Sequence, residues 1–373
     1  MKFTINSAEL SKAIEHALKF VPSRPSYPIL GNIKLTAFSD CMLQLTAFDL
    51  SDGIQLDCQA DVLESGSICV PARSFNAIAK GMAGQLVIEV VNELMTISDL
   101  SGSCEIQCQL TDEYPSIIQD EVDLTTEHQI DIKTFVQAIK MGASCASSDP
   151  SRMILQGVNI VAKDGLLTMA STDGHRLVIY KTEIDKSVEI SSATVPIKLL
   201  SGIAGNGIMS LAINPTACIV GTANMITTCR VFDGKYPDYP MLLPKSFTRT
   251  ATIDRIDLID ALALMSVIGN TDDLVRFMFE DNELLIRCER EGLKGERKIE
   301  CEMKGSDFEC YEELEGQLFV IAFNLKYLLG HLKNIPSKQV KISMNSATEP
   351  VVIKPVDSKL DLLCLVMPTV IRS

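Results

Sequence analysis

Tryptophan is absent from this chain, and aromatic residues together make up only 5% of it. Its cores must therefore be aliphatic, with methionine filling irregular gaps. Cysteine pairing of the metal-binding kind is also absent. There are twelve cysteines, but none form C-x-x-C, and the closest pair is Cys104 and Cys108. None of the four histidines is spaced with cysteine as a zinc site needs. No metal or cofactor is expected, and free, mostly buried thiols in a reducing compartment are. The opening residues, Met1-Lys2-Phe3-Thr4-Ile5-Asn6, lack the apolar core of a signal peptide, which points to the cytoplasm. A run without charge extends from Leu199 to Cys229. It is broken by Gly202, Gly205, Gly207, Asn214, Pro215, Gly221 and Asn224, so it reads as turns between short strands and not as a membrane span. Gly202-x-x-Gly205-x-Gly207 has the wrong order for a dinucleotide fingerprint. A positive balance is lacking too. The net charge of -14 argues against a generic nucleic-acid binder, although a total can hide a local field.

What the chain does have is a threefold repeat. Its 373 residues suit two or three domains. Ile5, Leu10, Ala13 and Ile14 recur as Ile130, Phe135, Ala138 and Ile139, and again as Ile253, Leu258, Ala261 and Leu262. Each set reads as a short strand carrying the isoleucine, then a helix with one apolar face. In the first copy Ser7 is the expected N-cap. A second landmark repeats as well: Val70-Pro71-Ala72-Arg73, Val195-Pro196-Ile197-Lys198 and Ile321-Ala322-Phe323-Asn324 each lead into a helical stretch. Alternating segments such as Gln85–Val90 and Leu284–Cys288, separated by Asp-Gly or Asn-Glu turns, predict antiparallel sheets. The expected boundaries fall near Asp123 and Arg249, giving domains 1–123, 124–249 and 250–373.

Charge is unevenly spread over this frame. The three segments carry -10, +2 and -6. The six expected helices instead display Lys12, Lys19, Arg73, Lys80, Lys133, Lys140, Lys198, Arg255, Lys326 and Lys333, against few acidic residues. Basic helices and acidic sheets in three equal α+β copies suggest a closed ring, helices lining the hole and sheets outside.

Near the middle lies Ser171-Thr172-Asp173-Gly174-His175-Arg176-Leu177. Leu166–Met169 and Leu177–Tyr180 read as strands. Thr172-Asp173-Gly174 reads as turn chemistry, since Asp bonds its own backbone and Gly accepts positive φ. The turn is expected to display His175 and Arg176 at the surface. Ser171, Asp173 and His175 could also be read as a hydrolase constellation. Adjacent turn residues point apart, however, and no G-x-S-x-G elbow supports that reading.

Several segments resemble one family. Arg24-Pro25-Ser26-Tyr27-Pro28-Ile29-Leu30-Gly31-Asn32 is similar to an R-P-x-x-P-I-L-x-N segment, with Arg152-Met153-Ile154-Leu155-Gln156-Gly157-Val158 as its second-domain counterpart. Thr172 to Leu177 spells T-D-G-H-R-L. Asp233–Tyr239 with Leu243-Pro244, Phe323–Leu328, Glu349–Ile353 and Val366-Met367-Pro368 complete the set, in order along the whole chain. Together they resemble the bacterial DNA polymerase III beta subunit, the replicative sliding clamp. The resemblance implies three tandem DNA-clamp domains in a head-to-tail homodimer around duplex DNA, without catalysis, cofactor or membrane. It implies sequence-independent DNA contacts at Arg24, Arg73, Arg152 and Lys198. It implies a pocket for a short peptide motif of DNA polymerases and clamp-loader subunits, formed by Leu155, Thr172, Gly174, His175, Arg176, Leu177, Pro237, Met241, Leu242, Pro350, Leu365, Val366, Met367 and Pro368. The dimer interface would use Ser74, Ile78, Ile106 and Cys108 at one end, and Ile268, Glu300 and Glu302 at the other. The sequence departs from the family pattern in two places. Pro240-Met241 stand where many relatives have Arg, and the tail continues through Thr369 to Ser373. A monomeric relative that kept the pocket and lost the ring is the alternative.

Overall fold

Each repeat opens with a strand that ends in an Asn or Asp cap, and the cap starts a helix. The strands are Lys2–Asn6, His128–Asp131 and Arg249–Asp254. The helices that follow are α1 (Ser7–Leu18), α3 (Ile132–Cys145) and α5 (Arg255–Ile268). Between them come α2 (Ala72–Gly81) and α4 (Ile197–Ser201), and α6 (Leu325–Leu332) follows last. The computed structural model describes residues 1–117, 128–201, 203, 207–269, 274–280, 282–290, 292–305 and 319–370. The expected boundary at Asp123, the glycines at 202 and 205, and the tail from 371 lie outside the described residues.

The caps correct one expectation. Asn6, not Ser7, caps α1: its Oδ1 accepts from the Ala8 N–H at 2.9 Å, and Ser7 is already helical. Asp131 Oδ1 accepts from Thr134 N at 2.8 Å, and Asp254 Oδ1 from Ile256 N at 2.8 Å. The three caps each follow the repeat's isoleucine by one residue. A carboxylate or amide oxygen there meets helix-start donors that otherwise lack partners. The apolar faces are as expected. Leu10, Ala13, Ile14, Phe135, Ala138, Ile139, Leu258, Ala261 and Leu262 are all buried, as are Ile5, Ile130 and Ile253.

The described chain forms two units, Met1–Val136 with Val195–Phe232, and Gln137–Thr194 with Asp233–Ser373. The second repeat contributes to both. In the first unit a five-stranded antiparallel sheet runs Asp61–Glu64, Lys2–Asn6, Gln85–Val91, Leu94–Ser98, Ser103–Gln107. An eight-stranded sheet runs His128–Asp131, Ile208–Ile213, Ala217–Thr222, Met225–Arg230, Asp52–Gln59, Met42–Phe48, Asn32–Phe38, Gly66–Pro71. The uncharged run from Leu199 therefore supplies three sheet strands. No helix among the described residues is long and apolar enough to cross a membrane.

The second unit holds a twelve-stranded sheet. From Ile190–Pro196 it passes through Gly157–Lys163, Leu166–Thr172 and Arg176–Glu183 to Asp361–Val366. It continues through Val351–Pro355, Gln339–Met344 and Arg249–Asp254 to Leu293–Gly305, Glu283–Arg290, Leu274–Glu280 and Phe319–Asn324. Leu293–Gly305 changes partner midway: Glu300 lies opposite Glu283, while Cys301 lies opposite Ile253. Its end needs glycine. Gly305 has φ +125°, and a Cβ there would fall 2.1 Å from the Thr248 carbonyl oxygen. Both strain and backbone overlap act against any side chain. Gly305→Ala is expected to destabilise the second unit by about 3 kcal/mol, read as a lowered denaturation midpoint in the full-length protein; an unchanged midpoint would contradict this placement.

A pinned turn beside an apolar wall

The hairpin closes with Thr172 opposite Leu177. One carboxylate organises it. Asp173 Oδ1 accepts from His175 N at 2.9 Å and Arg176 N at 3.0 Å, while Oδ2 accepts from Arg176 Nε at 2.9 Å. Gly174 supplies the left-handed residue, φ +92°. Thr172 Oγ1 accepts from Gly174 N at 3.0 Å and donates to Arg176 O at 2.6 Å. From outside the hairpin, Tyr236 Oη accepts from Thr172 N at 3.0 Å, and Arg152 Nη1 donates to Asp173 O at 3.3 Å.

His175 is exposed, as expected, but Arg176 is not. Its side chain is only 11% accessible, because the guanidinium is drawn inward by two partners. Asp173 pairs with it, and its Cζ lies 4.6 Å from the Tyr327 ring centre, a cation–π distance. The His175 ring stacks on the same tyrosine, 6.1 Å between centres with planes 16° apart. Tyr327 thus holds both turn residues, although only its place in the F-N-x-x-Y-L segment marked it in the sequence.

An apolar wall stands beside the turn. Ala170, Leu177, Ile179, Val352 and Leu365 form a buried cluster, and Tyr239, Leu243, Phe247, Leu363 and Met367 pack against it. Strand pairing brings these together: Arg176 lies opposite Val366, Leu177 opposite Leu365, and Val351 opposite Val366. Pro350 directly precedes that last strand. Beyond the pairing, Met367 N donates to His175 O at 2.8 Å and Thr369 N to Ala322 O at 2.8 Å, which fixes Pro368 between them. Pro237 follows the anchored Tyr236. Met241 and Leu242 lie in the single turn Tyr239–Leu242 and are 82% and 53% exposed. Leu155 is buried at the end of the 3-10 segment Pro150–Gln156. Val352, Tyr239, Leu243 and Phe247 were missed as wall residues; their spacing in the chain gives no sign that they meet.

The hydrolase constellation does not form. Ser171 is fully buried, with Oγ donating to Gly157 O at 3.4 Å, and Asp173 is occupied by backbone donors and Arg176. The buried histidine lies elsewhere. His331 faces Cys145, Nδ1 to Sγ 3.7 Å. Burial, reinforced by the charge of Arg176, pushes the His331 pKa down to about 4. Burial likewise pushes the Cys145 thiol up to about 12. Both stay neutral at physiological pH, so neither is poised as a reactive pair.

The remaining candidates are scattered. Arg24 and Arg73 are exposed. Arg152 is half exposed and pairs with Asp149 at 3.7 Å. Lys198 is held by Asp49 and, at 3.2 Å, by Asp52. Partial burial opposes its charge, but the hydrogen bond to Asp49 and the pull of Asp52 outweigh that and raise its pKa. Arg255 is committed to the carbonyls of Ser337 and Leu332. In the first unit Ser103–Gln107 is a sheet edge, with Ile106 and Cys108 buried on its inner face; Ser74 is exposed and Ile78 half-buried on α2. In the second unit Ile268 ends α5, and Glu300 and Glu302 are exposed on Leu293–Gly305. All described cysteines are free thiols, most of them buried.

Similar proteins share this architecture along the full chain. Residues 1–118 match the DNA polymerase III beta subunit N-terminal domain, 129–238 its central domain and 241–369 its C-terminal domain. The beta sliding clamp of Synechocystis sp. is 31% identical, with 99% of each chain covered. That of Synechococcus elongatus is 29% identical over the whole of both chains. Among solved structures, the DNA polymerase sliding clamp of Bacillus subtilis aligns over 100% of both chains with a TM-score of 0.87 at 24% identity. A sliding clamp of Pseudomonas aeruginosa bound to griselimycin aligns over 100% of both with a TM-score of 0.88 at 22% identity.

The buried histidine gives a pH test. Its folded pKa, about 4, lies below the ordinary value of 6.5, so the unfolded chain takes up the proton first as pH falls. His331 therefore leaves stability intact above pH ~6.5 and removes it progressively down to pH ~4. Between pH 7.5 and 4.5 the loss is expected to be about 2–3 kcal/mol. Denaturant titrations at the two pH values should show a drop smaller by that amount in His331→Gln; an equal drop in both proteins would contradict the assignment.

Proposed function

The chain belongs to the DNA polymerase III beta subunit family and is a sliding clamp, and on that premise we propose how its residues divide the work. The protein performs no bond chemistry. It is an accessory of a DNA-directed DNA polymerase in the cytoplasm. Two copies close head to tail into a ring of six domains, each chain divided near residues 123 and 249. Duplex DNA runs through the hole, and the polymerase is held beside the primer end, where tethering raises its effective concentration.

DNA contact is weak and without base readout. Cations at Arg24, Arg73, Arg152 and Lys198 meet phosphates, which carry charge but no sequence. Arg24 and Arg73 supply more of this field than Lys198, whose charge is matched by Asp49 and Asp52. The interface joins the end around Ser74, Ile78, Ile106 and Cys108 of one copy to the end around Ile268, Glu300 and Glu302 of the next. The first-unit end offers a strand edge, Ser103–Gln107, and closure satisfies an edge that would otherwise pair indiscriminately.

The polymerase and the loader dock by a short peptide at the turn. The observation that carries this reading is the juxtaposition of a pinned polar turn with an apolar wall: His175 and Gly174 at the turn, Leu177, Leu365 and Met367 in the wall, and Met241 and Leu242 exposed in the turn that begins at the wall residue Tyr239. Such a wall accepts Leu or Phe anchors, and the turn's polar groups orient the peptide backbone. Pro240 and Met241 stand where a charge is common in relatives, so anchoring here leans on apolar contact.

The double substitution Met241→Asp with Leu242→Asp tests it, since both residues are exposed and the fold should persist. Affinity for a peptide taken from the cognate polymerase is expected to fall at least roughly tenfold. Extension of a primed circle should shorten to the length that the polymerase reaches alone. Unchanged peptide affinity and unchanged product length together would exclude this surface as the docking site.

A further inference from the structure

The first unit contains a second hairpin built to the same plan. Met42–Phe48 and Asp52–Gln59 close with Phe48 opposite Gly53. Asp49 Oδ1 accepts from Ser51 N at 3.0 Å and from Asp52 N at 2.7 Å, as Asp173 does from His175 and Arg176. The following residue is left-handed in both turns, Leu50 at φ +77° and Gly174 at φ +92°. A Tyr-Pro pair braces each hairpin from downstream. The Tyr114 hydroxyl donates to Thr46 O at 3.3 Å, and the Tyr236 hydroxyl accepts from Thr172 N at 3.0 Å. An Ile-Leu pair precedes each, Ile29-Leu30 and Ile154-Leu155.

This framework opens on a cavity of about 690 Å³, within the range of ligand pockets. Tyr27, Leu30, Leu50, Leu110 and Pro115 supply its apolar lining, and Tyr27 and Leu110 are 61% and 56% exposed. Leucine rarely adopts positive φ, yet Leu50 stands where the other turn has glycine, and its side chain packs on the cluster of Ile29, Phe48 and Tyr114. The rim differs in sign. Glu93, Asp112 and Glu113 line this cavity, and among the described residues no basic one does. Lys198, bound to Asp49 and Asp52, has its charge met there. The turn at Asp173 instead exposes His175, its Arg176 being paired inward with Asp173, and Lys235 precedes Tyr236 as Glu113 precedes Tyr114.

We infer that this cavity is a second peptide-docking site, taking a linear segment of a partner protein that has Leu or Phe anchors flanked by Lys or Arg. The apolar lining receives the anchors, and the acidic rim receives the basic flanks and turns away acidic ones. The two sites then sort partners by charge while sharing one backbone design. The inference rests on reading the Asp173 turn as a peptide site.

Anisotropy with the full chain tests it. The probe is a short fluorescent peptide with adjacent Leu and Phe between paired lysines; the control has glutamates in place of the lysines. The lysine peptide is expected to bind saturably and the glutamate peptide at least roughly tenfold more weakly. Asp112→Lys with Glu113→Lys should weaken the lysine peptide by a similar factor and leave the polymerase-derived peptide unaffected. Leu50→Gly should weaken it too; glycine suits the left-handed turn, which offsets part of the packing lost from the Ile29, Phe48 and Tyr114 cluster. Equal binding of both probes, or insensitivity to all three substitutions, overturns the inference. Failure of the lysine peptide alone, with the polymerase peptide still bound, overturns the second site and leaves the first intact; failure of both peptides on the unsubstituted chain overturns both.

Discussion

The closing strand of one repeat pairs with the hairpin of the repeat before it, and the rest of the molecule depends on that pairing. Met225–Arg230 lies against Asp52–Gln59, and Asp361–Val366 against Arg176–Glu183. A slip of one residue would turn every side chain to the opposite face. Register therefore decides what stands beside each turn. With Leu177 opposite Leu365 and Arg176 opposite Val366, the chain leaving the sheet is already aligned for the Met367 bond to His175. The wall and the turn are one consequence of a single ladder, although their residues lie far apart in sequence.

Electrostatics follow the same economy. The turn at Asp173 keeps its cation inside, since Arg176 is held by Asp173 and the Tyr327 ring. What the turn offers outward is oriented backbone and the His175 ring, without a strong net field. Behind it, His331 and Cys145 are kept neutral by burial, so the wall can remain apolar. On a chain of net charge -14, the exposed cations Arg24 and Arg73 fit the proposed DNA contact, which must be weak if a ring is to move along DNA.

The sequence made the repeated strand–helix openings visible, because their apolar spacing is local. It made the Asp173 hairpin visible, because Asp-Gly turn chemistry is local too. It did not disclose that Arg176 would fold inward, since the Tyr327 ring that draws it in comes from a helix about 150 residues away. Lys198 read as a free cation for the same reason: Asp49 and Asp52 reach it only in the fold. The cap of α1 was misplaced by one residue, although Asn6, Asp131 and Asp254 share the offset that would have identified it. The choice of Leu177 and Leu365 as site residues came from family resemblance; burial alone makes them indistinguishable from ordinary core.

The protein is proposed to hold DNA by encircling it. The direct measurement is retention on nicked circular DNA, loaded with the cognate loader and ATP, before and after the circle is cut. Protein is expected to stay on closed circles at high salt and to be lost from linear ends once the circle is opened. Equal loss from both forms, with an active loader, would contradict encirclement and would favour a monomer that kept only its peptide surface.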